Sequence, residues 1–190
     1  MILDKNVNYI VSGIERSGTS MIMQILANGG IPTSSDQSRP ADEHNPKGYY
    51  ELEGGKIINK LIDGSFPFDR YKGSFIKITA YGLKYLPPDN YVIIYTERNV
   101  EEIMESMEKM AKISDDKRID TKTAFMNLNL MIKNKINQRD DITVLYLNYN
   151  NILSQPEKEI KKINTFLNSD ETDFKAMIQT VDPTLYRQRD

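Results

Sequence analysis

Val7-Asn8-Tyr9-Ile10-Val11-Ser12-Gly13-Ile14-Glu15-Arg16-Ser17-Gly18-Thr19-Ser20 is the stretch on which the fold turns. Its first half is β-branched and apolar and breaks at glycine. A helical run follows, Met21-Ile22-Met23-Gln24-Ile25-Leu26, and stops at Gly29-Gly30. Strand, tight loop and helix in that order place the backbone N–H groups of the loop and the helix N-terminus around one point, an arrangement suited to an anion. Read as structure alone, Ser-Gly-Thr-Ser would cap the helix and do nothing more.

Outward from this unit the pattern alternates. Ile31 to Tyr50 is rich in Pro, Ser, Asp and Asn and longer than an ordinary connection, as functional loops often are. A helix is expected with Ile57, Ile58, Leu61 and Ile62 on one face, then strands at Ser74 to Thr79 and Tyr91 to Thr96. Val100 to about Ala111 reads as a helix burying Ile103, Met107 and Met110, and Phe125, Leu128, Ile132 and Ile136 mark a longer one. Between them, Ser114 to Asp120 is a charged, solvated turn. Ile142 to Tyr146 reads as a fourth strand, and Pro156 opens a helix with Ile160, Ile163, Phe166 and Leu167 inward. Apolar strands alternating with amphipathic helices predict an α/β fold, a P-loop-like three-layer arrangement with a central parallel sheet covered by helices on both faces. Its ligands are expected beyond the carboxyl ends of the strands.

Composition narrows the class. The chain has 190 residues, 39% hydrophobic and 27% charged, which suits one compact domain over 1–190, and no repeat or linker divides it. A net charge of −2 and a pI near 5.6 give no general basic field, so nucleic acid is not an expected partner and any anion site is local. Cysteine is absent, which excludes a disulfide scaffold, a thiolate metal site and cysteine nucleophiles. No window reaches the roughly 18 apolar residues of a membrane span and the N-terminus has no signal-like apolar region, so the expectation is a cytoplasmic, untargeted protein.

The spacing from Gly13 to Gly18 equals that of a nucleotide triphosphatase loop, but Thr19 stands where the lysine reaching the β/γ-phosphates should be, and the cation comes earlier, at Arg16. After the Tyr91 to Thr96 strand, Arg98 stands at the strand end and Ser106 eight residues on, about two turns into the next helix. Arg98 can grip a phosphate in bidentate fashion and Ser106 can add a hydroxyl; taken alone, Arg98 would more readily form a surface ion pair with Glu101 or Glu102.

The pair of motifs resembles the sulfotransferases that use 3′-phosphoadenosine 5′-phosphosulfate (PAPS), whose loop reads Arg/Lys-Ser-Gly-Thr-Ser/Thr and whose 3′-phosphate motif reads Arg-Asn-x-x-Asp/Glu-x-x-x-Ser. The resemblance implies that Arg16 contacts the bridging oxygen or sulfuryl group and that Ser17, Gly18, Thr19 and Ser20 hold the 5′-phosphate. It implies that Arg98 and Ser106 hold the 3′-phosphate of PAPS or of the product PAP. Leu147 to Pro156, ending beyond at Phe166-Leu167-Asn168, is similar to the family's Tyr-Glu-Asp-Leu stretch, with Asn150 and Asn151 in place of its acidic pair, a departure that points to a structural role. The likeness is strongest to short bacterial and phage-like members carrying Asp-x-x-Arg-x-Ala-Asp-x-x-Asn-Pro-x-Gly-Tyr-x-Glu, here Asp36 to Glu51, and ending in Asp-Pro-x-Leu-Tyr-Arg, here Asp182 to Arg187.

Such transfer needs an in-line hydroxyl, a base and stabilisation of the departing phosphate, and no metal. Candidate bases are Glu51, Asp36 and His44, taken in that order, with Asp42 and Glu43 in the same loop. Pro46 and Gly48 can fix the backbone before Glu51, and the tyrosines can desolvate its carboxylate. Arg39 and Asp42 either bind the acceptor or brace the loop, while Tyr49 and Tyr50 either wall the acceptor or pack in the core. Tyr186, Arg187 and Arg189 either fold over the nucleotide, with Arg187 as a contact, or fray. The expected acceptor is a small molecule or glycan bearing a hydroxyl or, as the second choice, an amine. A divergent P-loop kinase and a non-catalytic PAP-binding module are the alternatives.

Overall fold

The computed structural model describes residues 1–36, 38–42, 45–111, 116–169 and 171–185. Four strands form one parallel sheet: β1 (Asn8–Gly13), β2 (Phe75–Lys77), β3 (Tyr91–Glu97) and β4 (Ile142–Asn148), in the order β2-β1-β3-β4. The register sets Tyr9 beside Phe75, Gly13 beside Thr96 and Glu97 beside Asn148, so the carboxyl ends of β1, β3 and β4 finish level. The chain leaves β1, forms β2 on one side, then returns to form β3 on the other. This reversal opens a crevice beyond the end of β1.

Every residue of β1 is buried because both of its faces are covered. Ile10 joins Ile76, Ile93 and Tyr95 in one cluster, closed by Leu61, Leu83, Ile103, Ile132 and Ile136. Tyr9 and Val11 point the other way, with Phe75, Ile94 and Leu147, against Ile22, Met23, Ile25, Leu26, Ile160, Ile163 and Met177. Helices α2 (Ile58–Ile62), α3 (Val100–Ala111) and α4 (Arg118–Asn137) supply the first face. The second is supplied by α1 (Thr19–Asn28), α5 (Tyr149–Ser154), α6 (Pro156–Phe166) and α7 (Phe174–Thr180). Ile93 and Ile94, both 0% exposed and on opposite faces, are each worth about 2–5 kcal/mol against truncation to Ala.

The predicted alternation is present, with adjustments. β2 covers Phe75–Lys77 rather than Ser74 to Thr79, because after Ile78 the chain turns into a 3-10 segment, Ala80–Tyr85. β4 runs on to Asn148, whose side chain accepts the N–H of Asn151 and so starts α5. In α2, Ile62 faces outward at 50% exposure, since five residues do not close a full apolar face. In α3 the buried residues are Ile103, Met104 and Ser106; Met107 is half-buried and Met110 lines a cavity instead of entering the core. Helix α7 was not anticipated: Asp173 caps it by accepting from Ala176 N at 2.9 Å, and Met177 packs so close to Gly29 that a Cβ there would sit 2.5 Å from Met177 Cγ.

Candidate functional site

The loop after β1 is held open by backbone conformation. Arg16 has φ 67°, and Gly18, the residue before α1, has φ 103° with no side-chain cap. Glycine is required at Gly18: a Cβ would lie 2.4 Å from Cδ2 of Tyr149. Ser17 is 1% exposed, its N–H donates to Ile14 O at 3.0 Å, and its hydroxyl is 2.8 Å from that of Thr96, which donates to Ser12 O at 3.2 Å. The Ser17 hydroxyl therefore fastens the loop to the end of β3, beneath the surface that a ligand would meet. Gly18, Thr19 and Ser20 line the cavity itself.

The two predicted phosphate motifs meet. Arg16 Nε donates to Ser106 Oγ at 2.9 Å, and Arg98 Nη1 donates to Arg16 O at 3.1 Å. The Arg98 side chain is 5% exposed, its Nε 2.8 Å from Glu102 Oε2, with the guanidinium carbon 4.4 Å from the centre of the Tyr149 ring. Asn150 donates to the other Glu102 oxygen at 2.8 Å. Arg98 thus has its ion pair and also lines the cavity, because Glu102 grips Nε from behind. Glu101 goes elsewhere, to Arg118 and Lys122.

On the opposite wall stands a residue that the motifs did not mark. Lys77 ends β2 with 8% exposure, and its Nζ lies 2.9 Å from Glu51 Oε1, 2.6 Å from Tyr49 O and 3.2 Å from Ser20 Oγ. Burial pushes its ammonium below the usual lysine range, and Glu51 opposes the shift. The available signal was a single cation closing an apolar strand beside the loop strand. Glu51, with a side chain 13% exposed, meets Arg39 at the longer distances of 3.3 and 3.5 Å. Arg39 stacks 3.5 Å over the buried Tyr49 ring, whose hydroxyl donates to Asp42 at 2.8 Å. Tyr50 packs against the core of the second sheet face.

These walls enclose a cavity of ≈ 450 Å³ at the carboxyl ends of β1, β2 and β3. Arg16, Arg39, Lys47, Lys77, Arg98 and Lys109 face it, against Glu15, Glu51 and Asp182. An acidic chain has therefore built a locally cationic pocket, as an anion site requires. Asp36 does not line it. That carboxylate is exposed and accepts the N–H of Ser38 and of Glu53; the Ser38 hydroxyl first, then the Glu53 and Ser38 N–H groups, hold it below the usual carboxylate range. Lys47 closes the far end, donating to Thr180 O at 3.1 Å with Asp182 at 3.7 Å. Glu43, His44, Tyr186, Arg187 and Arg189 lie outside the described residues. Among the described residues no cluster of His, Cys, Asp or Glu could hold a metal, and no helix is long and apolar enough to cross a membrane.

Sheet order, loop and crevice define a P-loop-like α/β protein. Among solved structures the fold is that of the sulfotransferases. The sulfotransferase domain of the Synechococcus olefin synthase superposes with a TM-score of 0.61 at 15% identity, covering 97% of this chain and 88% of that one. A mouse sulfotransferase complexed with PAP gives 0.57 at 15%, covering 98% and 67%. A sulfotransferase from Mycobacterium tuberculosis gives 0.56 at 13%, covering 95% and 72%. No protein-family model and no curated protein matches the sequence.

Proposed function

We propose that this protein is a sulfotransferase that moves a sulfuryl group from PAPS to a hydroxyl of an acceptor. The observation that carries the reading is the joining of the two motif halves at one crevice: Arg16 touches Ser106, Arg98 touches the Arg16 carbonyl, and Lys77 and Glu51 stand across from them. A second set of anion-binding residues, Arg98 and Ser106, beside the loop fits a donor with phosphate at both its 5′ and 3′ positions better than it fits a plain triphosphate. The PAP bound to the mouse neighbour supports the same donor.

PAPS would supply the activated sulfuryl group. Gly18, Thr19 and Ser20 hold the 5′-phosphate, with Ser17 locking the loop beneath them; Arg98 and Ser106 hold the 3′-phosphate. Arg16 and Lys77 are the cations that stabilise charge on the bridging oxygen as the sulfur–oxygen bond to phosphate breaks and the bond to the acceptor oxygen forms. The acceptor proton goes to Glu51. Its Oε1 is held by Lys77, whereas among the described residues Oε2 meets only the longer Arg39 contact, which an acceptor hydroxyl can replace. The chain acts as one domain over 1–190.

The test is a thermal-shift panel with PAP, PAPS, ATP-Mg and GTP-Mg. A ligand at 100 times its Kd stabilises the fold by about 2.7 kcal/mol. PAP and PAPS should shift the transition without metal and the triphosphates should not. A shift by ATP-Mg alone would mean a kinase, and tight PAP binding with no PAPS turnover, even to water, a binding module.

A further inference from the structure

Among the described residues, the half of the cavity facing away from the nucleotide motifs is lined by no Leu, Ile, Val or Phe; its apolar side chains there are Met21, Pro46 and Tyr49. Pockets that take apolar small molecules are lined mainly by hydrophobic and aromatic groups. An apolar guest here would desolvate polar groups without pairing them, which costs affinity.

Two carboxamides in this half have hydrogen-bonding capacity to spare. Gln24 lies one turn beyond Ser20 on the same face of α1, and among the described residues its side chain makes one hydrogen bond, to Gly48 O at 3.2 Å. A carboxamide carries two N–H donors and a carbonyl acceptor, so a donor and an acceptor remain. Asn45, across the cavity in the long loop, makes no side-chain hydrogen bond among the described residues. Gln24 stands near the reacting end, since Ser20 is the partner of Lys77, and Asn45 lines the same cavity. Of the cations of this half, Lys47 has Asp182 and Lys77 has Glu51, while Arg39 stacks on Tyr49, so an acceptor needs no negative charge to be held.

We infer that the acceptor is a neutral polyhydroxylated, sugar-like molecule whose hydroxyls are read by Gln24 and Asn45, and that phenols and steroid alcohols are poor acceptors. Neighbouring hydroxyls both donate and accept, which is what a pair of carboxamides can match; a lone hydroxyl on an apolar ring leaves them unpaired. The inference rests on the sulfotransferase reading above.

The experiment uses the whole chain with PAPS and follows PAP release with methyl β-glucoside, maltoheptaose, 2-naphthol or a steroid alcohol. The same four probes are then tested for a thermal shift of the PAP-saturated protein. At least one sugar should raise PAP release above water hydrolysis or shift the transition, with a preference over the aromatic and steroid probes of about 10²-fold or more. Response to the glucoside marks a free sugar, response to maltoheptaose alone a glycan chain. Gln24→Leu and Asn45→Leu should each lower the sugar response about tenfold while PAP affinity stays unchanged. The inference is overturned by a response to 2-naphthol or the steroid that equals the sugars. It is equally overturned by no response to either sugar in a protein that binds PAP, or by leucine variants that respond to sugar as the wild type does. Failure of PAP to bind at all would instead remove the donor reading beneath it.

Discussion

The two halves of the cavity are built by different means. The nucleotide half comes from two short contiguous segments, 13–20 and 98–106, each fixed at the carboxyl end of a central strand and joined by Arg16 to Ser106. The acceptor half draws single residues from a long loop, from the end of β2 and from the end of α7, and holds them by an ion-pair chain through Lys77, Glu51 and Arg39. The first kind of construction leaves a motif, because backbone position dictates residue type at consecutive sites. The second leaves almost none, because its partners are 26, 12 and 57 residues apart: Lys77 to Glu51, Glu51 to Arg39 and Lys77 to Ser20.

If the halves divide labour as proposed, the largest effect belongs to Glu51→Gln: turnover should fall about 10²–10⁴-fold while PAP affinity stays close to wild type. Asp36→Asn is the control, since that carboxylate does not reach the cavity. Loss of turnover in Asp36→Asn or in His44→Ala, with Glu51→Gln active, would move the base to another part of the loop. Next is Arg98→Ala, which should weaken PAP by about 1.5–3 kcal/mol, roughly 10–10²-fold. Adenosine 5′-phosphosulfate, lacking the 3′-phosphate, should lose much less; equal losses would take Arg98 out of that role.

Gly18→Ala tests the strand-end half through stability. The required φ of 103° and the 2.4 Å approach to Tyr149 should cost about 1–3 kcal/mol in thermal or denaturant unfolding. An unchanged midpoint would show that the loop can relax around the new methyl.

The smallest effect is expected at Asp36. Hydrogen bonds hold its folded-state pKa below the ordinary value of about 3.9, so the charged carboxylate adds stability above that pH and loses it as the pH falls through the folded value. Asp36→Asn should therefore lower Tm slightly at pH 7, and the two curves should converge as acid is added. A gap that persists in acid would assign the effect to lost shape rather than charge.

Periodicity carried most of the fold. Ile10, Ile93 and Ile94 sit in runs too apolar and branched to be anything but central strands, and the spacing of Ile132 and Ile136 announced α4. Helix α7 escaped because seven residues give a single turn of pattern, Phe174, Met177 and Ile178, and the reason it exists, the glycine surface of α1, lies far back in the chain. Met110 has a core residue's chemistry and a core residue's spacing, yet it lines the cavity at the last turn of α3. Asp36 and Glu51 looked alike as carboxylates in one loop; what separates them is Lys77, whose partner could not be read from a single cation in an apolar strand.

Strand order also governs how such a chain emerges during synthesis. β1 is made first but lies inside the sheet, and its second neighbour is complete only at Glu97, 84 residues after Gly13. At typical elongation rates of about 5–20 residues per second that interval lasts roughly 4 to 17 s. Throughout it, a strand with no exposed residue in the finished protein has at least one unpaired edge and uncovered side chains. Nascent β1 is then an aggregation hazard that chaperones would have to cover. A ribosome stalled before residue 97 would release a fragment bearing the same open edge, sticky by construction and unable to shield itself.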